Sequence, residues 1–192
     1  MIRHVPCGSK DSARTKQGKL APTPHAKRSQ QMPASTNLPE IGKTAPAFSG
    51  TTENGEKIRL SQHKGKNVVL YFYPKDNTPG CTVEAKEFRD MQDELNCANA
   101  AVIGVSPDGP ESHSKFIDRF DLNFTLVADE DHKIAEKYGV WVEKNMYGKK
   151  FMGIQRATFL INPKGKISHV WPKVRAAGHA EQVLKTLAEL DG

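Results

Sequence analysis

One short stretch of the sequence concentrates residue types that could perform thiol chemistry. Residues 73–84 read Tyr-Pro-Lys-Asp-Asn-Thr-Pro-Gly-Cys-Thr-Val-Glu, with Cys81 near the end of the stretch. Pro74 ends an apolar run, a Pro-Gly pair predicts a turn, and a helix is predicted to begin at or just before Cys81. A thiol in the first turn of a helix faces unpaired backbone N–H groups and the positive end of the helix dipole. The sequence therefore predicts a nucleophilic cysteine.

The end of a helix is too weak to activate such a cysteine alone. An ordinary cysteine, with a pKa of about 8.5, is only a few per cent thiolate at pH 7. The helix dipole contributes roughly 0.3–1 kcal/mol, which is less than one pKa unit, whereas a nearby cation adds about 1–3 units. We therefore expect an arginine within reach of Cys81.

Strands and helices are predicted to alternate around this site. Residues 68–73 are apolar throughout, as in a central strand that is buried on both faces. An Asn-Gly pair at 54–55 predicts a hairpin turn. Trp141 and Tyr147 are interpreted as aromatic residues of the core or of a pocket wall. Further strands are predicted at residues 57–60, 101–105, 124–127, 157–161 and 167–171, and helices at 81–95, 110–120, 129–138 and over a C-terminal stripe formed by Val183, Leu184, Leu187 and Leu190. The pattern favours an α/β fold with a mixed sheet.

The charge of the chain is unevenly distributed. Of the 28 Lys/Arg and 22 Asp/Glu in the 192 residues, residues 1–39 contain seven bases and one acid, which leaves 21 of each in residues 40–192. Residues 1–37 are rich in polar residues and proline, and are predicted to be a disordered basic extension. Its composition also fits an organelle transit peptide or sequence upstream of a true start at Met32. Residues 38–192 are predicted to form a single domain.

The cysteines and histidines exclude several kinds of site. Three cysteines, with no CxxC pair, form neither a secreted disulfide framework, nor a zinc ribbon, nor a dithiol of the thioredoxin type. The seven histidines show no HExxH spacing. We therefore expect no metal and no cofactor, and a chemistry that depends on one cysteine in a reducing compartment.

The stretch around Cys81 resembles the peroxidatic motif of the peroxiredoxins, whose fixed positions here are Pro74, Thr78 and Cys81. The longer run 76–84 is similar to the bacterioferritin comigratory protein (PrxQ) subfamily. The resemblance extends from about residue 38 to the C-terminus and includes the segments 123–126, 129–132, 138–141 and 153–161. It implies a thioredoxin-like fold and a thiol-dependent peroxidase that acts on hydrogen peroxide and organic hydroperoxides.

The resemblance also implies a role for each of five residues. The Cys81 thiolate attacks the peroxide and becomes a sulfenic acid, while the Thr78 hydroxyl orients the peroxide oxygens. Arg156, expected on a core strand, keeps Cys81 ionised and stabilises the departing oxygen. Pro74 shields the thiolate from water. Glu84, one turn along the helix from Cys81, positions the arginine.

The sequence departs from the subfamily at the resolving cysteine, which many members carry five residues after the peroxidatic one. Lys86 occupies that position here. Cys97 lies about 24 Å beyond Cys81 along a continuous helix, and a disulfide needs Cα atoms within about 7 Å. Cys97 is therefore a resolving candidate only if the helix unwinds, and we expect it to be a buried structural thiol. Cys7, in the N-terminal extension, could reach Cys81 only through flexibility of that extension.

A one-cysteine cycle is consequently expected, in which thioredoxin, glutaredoxin or a small thiol reduces the Cys81 sulfenic acid. Three other functions are alternatives. These are a thioredoxin-like chaperone or redox-sensing binding module, a disulfide oxidoreductase, which Glu84 in place of a second CxxC cysteine disfavours, and nucleic-acid binding through the basic extension. We expect a cytoplasmic monomer or weak dimer that binds neither membranes nor nucleic acids.

Overall fold

A computed structural model describes residues 37–191, and the predicted disordered extension lies outside these residues except for Asn37. The described residues form nine strands, five α-helices and a short 3-10 helix at Leu60–His63. The strands are β1 (Ser49–Thr52), β2 (Lys57–Arg59), β3 (Asn67–Phe72), β4 (Ala100–Ser106), β5 (Thr125–Ala128), β6 (Trp141–Met146), β7 (Lys149–Ile154), β8 (Ala157–Ile161) and β9 (Ile167–Trp171). The helices are α1 (Pro79–Asp90), α2 (Gln92–Cys97), α3 (Pro110–Phe120), α4 (Lys133–Lys137) and α5 (His179–Asp191).

Seven of these strands form one mixed sheet, in the order β2-β1-β5-β4-β3-β8-β9. β4 runs parallel to both of its neighbours, β3 and β5, whereas β8 is antiparallel to β3 and to β9. β1 and β2 form an antiparallel pair around the turn that contains Asn54 and Gly55. The predicted mixed α/β architecture and the predicted hairpin turn at residues 54–55 are therefore confirmed.

β3 lies at the centre of the sheet and leads directly to the Cys81 segment. All six of its residues are buried, because β4 and β8 flank it and a core covers each face. Its side chains alternate between these cores. Val68, Leu70 and Phe72 pack into one core, and Val69 and Tyr71 pack into the other, together with buried side chains of α1 and α5. The end of β3 is thus a rigid support for the loop that follows.

Two helix predictions need correction. The region predicted as one helix, residues 81–95, consists of α1 and α2 with a break at Met91, which has φ −101° and ψ 15°. A continuous helix between Cys81 and Cys97 is therefore wrong. The helix predicted over residues 129–138 begins only at Lys133, because His132 adopts the left-handed conformation, with φ 59°.

The sequence pattern did not predict β6 and β7, which pair as a separate two-stranded sheet. Tyr147 and Gly148 form the turn between them, with φ values of 51° and 78°. Tyr147 is 98% exposed at this tip, so its interpretation as a core or pocket-wall residue is wrong. Trp141 lies at the base of the hairpin, where it packs against the core and stacks on His132 at 3.8 Å between ring centroids.

Candidate active site

Cys81 lies in the first turn of α1, as predicted. The helix begins at Pro79, and Thr78 is its N-cap residue in an extended conformation. The first α-helical hydrogen bond runs from the Thr82 N–H to the Thr78 carbonyl oxygen, at 2.9 Å. Cys81 therefore belongs to the turn whose N–H groups have no partner within the helix. The residue is only 1% exposed, so little water competes for its sulfur.

The sequence explains why the chain turns sharply before Cys81. Pro74 follows β3 and has no N–H to continue a sheet ladder. Asn77 adopts the left-handed conformation with φ 57°, which asparagine tolerates better than most residues. Pro79 occupies the first position of α1, where the missing N–H is without cost and the fixed φ suits a helix.

Arg156 is the cation that contacts Cys81. Its Nη2 donates to the Cys81 Sγ at 3.0 Å, and its Nη1 donates to the Glu84 Oε2. The prediction of Arg156 on a core strand is wrong in detail, because the residue precedes β8 and follows β7, on the two-residue link between them. This link lets the guanidinium reach towards the start of α1 without interrupting the pairing of β8 with β3.

Glu84 lies one turn after Cys81, and its side chain is fully buried. Only Oε2 meets the guanidinium of Arg156. Oε1 is also buried and has no hydrogen-bond partner among the described residues. Burial raises the pKa of Glu84 to about 7, although the positive charge of Arg156 opposes this rise.

The two members of this ion pair respond differently to their surroundings. Burial lowers the pKa of Arg156, but the charges of Glu84 and Cys81 outweigh burial, so that its pKa is raised overall. The raised pKa of Arg156 means that its neighbours stabilise the charged guanidinium. The raised pKa of Glu84 means that burial destabilises the charged carboxylate. Since a guanidinium stays protonated throughout the accessible pH range, Glu84 is the member of the pair that titrates.

Thr78 and Pro74 lie in the loop that precedes α1. The Thr78 hydroxyl donates to the Lys75 carbonyl oxygen at 3.1 Å. Thr78 is partly buried and Pro74 is exposed. The structure thus brings Cys81, Glu84 and Arg156 into direct contact, and it places the other two predicted site residues on the adjoining loop.

Cys97 differs from its prediction as a buried thiol. It is the last residue of α2 and is exposed. It forms no disulfide with Cys81, and both thiols are free. The break at Met91 also means that the distance expected for one straight helix no longer applies to this pair.

Lys144 is a second cation near the site that the sequence did not reveal. Its Nζ donates to the Ile154 carbonyl oxygen at 2.5 Å, two residues before Arg156. Burial and then the positive charge of Arg156 lower the pKa of Lys144, while Cys81 opposes them. The lysine was missed because its strand, β6, was not predicted. In the described residues, no three His, Cys, Asp or Glu side chains form a group that could hold a metal ion.

Comparisons with known proteins agree with this geometry. Residues 41–170 match the model of the AhpC/TSA family. The chain is 46% identical over 151 residues to the peroxiredoxin Bcp of Bacillus subtilis, which covers 79% of this chain and 96% of the relative. It is 47% identical over 150 residues to the peroxiredoxin Bcp of Escherichia coli K12, over 78% of this chain and 96% of the relative.

Solved structures give the same result for the fold. The bacterioferritin comigratory protein of Xanthomonas campestris, studied for its alkyl peroxide reduction, matches with a TM-score of 0.73 and 40% identity, over 76% of this chain and 92% of that one. A PrxQ variant of Xylella fastidiosa matches with a TM-score of 0.77 and 37% identity, over 80% and 98% of the two chains. The described domain therefore has the thioredoxin-like fold of these proteins, and the chain belongs to the AhpC/TSA family as a thiol peroxidase of the peroxiredoxin Bcp, or PrxQ, type.

Proposed function

We propose that Cys81 is the peroxidatic cysteine and that it reduces hydrogen peroxide and organic hydroperoxides. The observation that carries the proposal is the 3.0 Å contact between Arg156 Nη2 and Cys81 Sγ. A charged N–H donor stabilises negative charge on the sulfur far better than a neutral donor does. Since the Xanthomonas campestris relative reduces alkyl peroxides, organic hydroperoxides are included among the substrates.

The proposed reaction is a displacement at oxygen. The Cys81 sulfur attacks the peroxide oxygen that bears hydrogen, an S–O bond forms, and the O–O bond breaks. The cysteine becomes a sulfenic acid, and the other oxygen leaves as hydroxide or alkoxide, which takes a proton from water. Arg156 stabilises the charge as it moves from the sulfur to the departing oxygen. Glu84 holds the guanidinium from its other side.

Thr78 is proposed to accept a hydrogen bond from the peroxide. Its own proton is directed to the Lys75 carbonyl oxygen, so only the hydroxyl lone pairs remain for a substrate. By accepting the peroxide hydrogen, Thr78 would direct the oxygen that carries this hydrogen towards Cys81. Pro74 is proposed to keep water from the thiolate, a role that the 1% exposure of Cys81 supports.

The reductant is proposed to be an external thiol, thioredoxin or another thiol of that kind. One thiol attacks the sulfenic sulfur to give a mixed disulfide and water, and a second thiol releases Cys81. Lys86 at the usual resolving position and the free, exposed Cys97 support this one-cysteine cycle. Cys97 stays the alternative resolving residue, which would have to approach a buried Cys81.

A second candidate function is a chaperone or redox-sensing binding module. It is favoured by the exposed apolar side chains on the hairpin of β6 and β7, namely Met146, Tyr147, Phe151 and Met152. Of the two, a chaperone function would not depend on the Cys81 thiol, whereas redox sensing would require it. Cys81→Ser would abolish peroxidase activity and leave binding of an unfolded client protein unchanged.

The proposed setting is a cytoplasmic monomer or weak dimer whose catalytic domain is residues 38–192. Both cores of the domain consist of residues from Leu38 onwards. Among the described residues, no helix has the length and apolar character to cross a membrane.

Peroxide consumption with dithiothreitol as the reductant tests the proposal. The unmodified chain should consume hydrogen peroxide catalytically, and Cys81→Ser should reduce turnover to the background rate. Cys97→Ser serves as a matched control, because it makes the same change at the exposed thiol and should keep turnover within about twofold. Equal activity of Cys81→Ser and the unmodified chain would refute the assignment.

A further inference from the structure

Two carboxylates, Asp76 and Asp108, have no part in the proposed chemistry but lie at the Thr78 loop, which we define as residues 73–78 between β3 and α1. Asp76 belongs to the loop itself, and its side chain is 1% exposed although its neighbours Lys75 and Asn77 are exposed. Asp108 lies on the link between β4 and α3. Asp76 is buried and Asp108 is partly buried. A carboxylate that is withdrawn from water is costly unless its oxygens accept hydrogen bonds, so the partners of these two groups should reveal what they hold in place.

The peptide unit between Lys75 and Asp76 connects Asp108 to Thr78. The N–H of this peptide, which belongs to Asp76, donates to Asp108 Oδ2 at 2.8 Å. The carbonyl oxygen of the same peptide, which belongs to Lys75, accepts from the Thr78 hydroxyl at 3.1 Å. A trans peptide is planar, and its N–H and C=O point in opposite directions. Asp108 therefore sets the direction of the carbonyl that receives the Thr78 proton.

Asp108 is itself fixed by Ser106, the buried last residue of β4. The Ser106 hydroxyl donates to Asp108 Oδ2 at 2.9 Å, and the Asp108 N–H donates back to the Ser106 Oγ at 3.1 Å. The orientation of the Lys75–Asp76 peptide thus derives from a central strand of the sheet rather than from the loop.

The Asp76 side chain anchors the same loop to α3. Its Oδ1 accepts from the Tyr73 hydroxyl at 2.7 Å, and its Oδ2 accepts from the Ser112 hydroxyl at 2.7 Å and faces His113 Nδ1 at 2.9 Å. A carboxylate only accepts, so Nδ1 carries the proton. Burial raises the pKa of Asp76, but the partners His113, Ser112 and Tyr73 lower it more, and the net direction is downward.

We propose that Asp108 is a positioning residue for peroxide reduction, whose carboxylate orients the Lys75–Asp76 peptide and, through its carbonyl oxygen, the Thr78 hydroxyl. Asp76 holds the loop against α3 so that this peptide cannot rotate freely. The inference rests on the proposed function, because it concerns how Thr78 meets the peroxide. It predicts that Asp108 affects the reaction with peroxide and leaves the intrinsic reactivity of the Cys81 thiol unchanged.

Two rate constants of the full chain, in a background with Cys7→Ser and Cys97→Ser, separate these effects. The first is the reaction of Cys81 with hydrogen peroxide, and the second is its alkylation by iodoacetamide, which needs no help from Thr78. Asp108→Ala should slow the peroxide reaction at least about 10-fold, since small misplacements cost up to roughly 100-fold. Its alkylation rate should stay within about twofold. Asp108→Asn, whose amide oxygen still accepts from the Asp76 N–H, should recover most of the peroxide rate.

Glu111→Ala is the matched control, because it also removes a carboxylate, in the first turn of α3, that is exposed and bonded only to Lys115. It should leave both rates unchanged. The decisive comparison is made in a Thr78→Val background, which lacks the hydroxyl. Adding Asp108→Ala to this variant should change the peroxide rate less than about twofold, because the effects of residues that act as a unit are not additive.

Several results would overturn the inference. These are an Asp108→Ala peroxide rate equal to that of Glu111→Ala, a parallel fall in alkylation, or independent multiplication of the effects of Asp108→Ala and Thr78→Val. If Asp108→Ala does not fold, Ser106→Ala replaces it, with an expected loss of about threefold or more, and an unchanged rate would count against the inference. Failure of the proposed function looks different, since the unmodified chain would then not react with peroxide, and both proposals would be rejected.

Discussion

Arg156 serves two partners with one planar group. One nitrogen of the guanidinium donates to the Cys81 sulfur and another donates to the buried Glu84 carboxylate. A lysine carries the same charge but cannot present two donors in a fixed fork. The chemistry of the site therefore depends on the shape of this side chain as well as on its charge.

Arg156→Met should lower the rate constant of Cys81 with hydrogen peroxide by about 100-fold or more, which is the usual effect of removing one preorganised donor. Arg156→Lys should fall between Met and the unmodified chain. The rate is measured in a single turnover at pH 7. Arg59→Met is the control, because Arg59 is an exposed residue of β2, the strand at the edge of the sheet that lies away from β8. A rate for Arg156→Met within about threefold of this control would contradict the assignment.

Glu84 makes stability depend on pH. Its pKa is raised from the ordinary 4.5 to about 7. Between these two pH values, the Glu84 carboxyl is therefore mostly protonated in the folded chain and mostly ionised in the unfolded chain. Stability relative to Glu84→Gln should therefore be greatest at or below about pH 4.5 and should fall as the pH rises to about 7, by about 3 kcal/mol. Urea unfolding of both proteins from pH 4 to 8 measures the difference. Parallel stability curves over this range would contradict the prediction.

The residues of the site differ in how far the sequence predicted them. Thr78, Cys81 and Glu84 are local, and a turn followed by a helix places them together whatever the rest of the chain does. Arg156 lies 75 residues after Cys81, so only the family resemblance connected the two. Asp108 was not predicted, because its effect passes through a backbone peptide and leaves no pattern in side-chain types.

At the level of elements, one side chain of α1 adds hydrogen bonds to the hydrophobic packing between α1 and α5. The Glu87 carboxylate of α1 accepts hydrogen bonds from the backbone N–H groups of Gly178 and His179, at 2.8–3.2 Å. The start of α5 thus receives its cap from another helix. This link couples the helix that carries Cys81 to the C-terminal helix.

Glu87→Ala should lower the free energy of unfolding by about 1 kcal/mol, as the loss of a helix cap commonly does. Glu94→Ala is the control, since Glu94 is an exposed residue of α2. Urea unfolding at pH 7 measures both variants. An equal effect of the two substitutions would show that the link between α1 and α5 contributes nothing.

Elements with strong patterns were predicted closely, and weakly patterned ones were not. The helix Pro110–Phe120 and the strands Ala157–Ile161 and Ile167–Trp171 agree with their predicted bounds. β6 and β7 were missed because most of their side chains are exposed or only partly buried, which leaves little apolar alternation. The break at Met91 was missed because no glycine or proline marks it, and Phe88 and Leu95 are buried on both sides of it.

At the scale of the whole molecule, the net charge differs between residues 1–39 and residues 40–192. The excess of six positive charges belongs to residues 1–39, and residues 40–192 have equal numbers of acids and bases. The net charge of the domain therefore provides no long-range attraction for anionic substrates. Specificity for peroxides is therefore proposed to rest on the local arrangement around Cys81.

The central claim is that Cys81 forms a sulfenic acid that an external thiol reduces. The most direct test is the intact mass of the chain after one equivalent of hydrogen peroxide, with and without dimedone, followed by peptide mapping. One dimedone adduct on Cys81 is the predicted result. A loss of two mass units without an adduct would indicate an internal disulfide and contradict the one-cysteine cycle. An unchanged mass in both samples would contradict the claim that Cys81 reacts with peroxide.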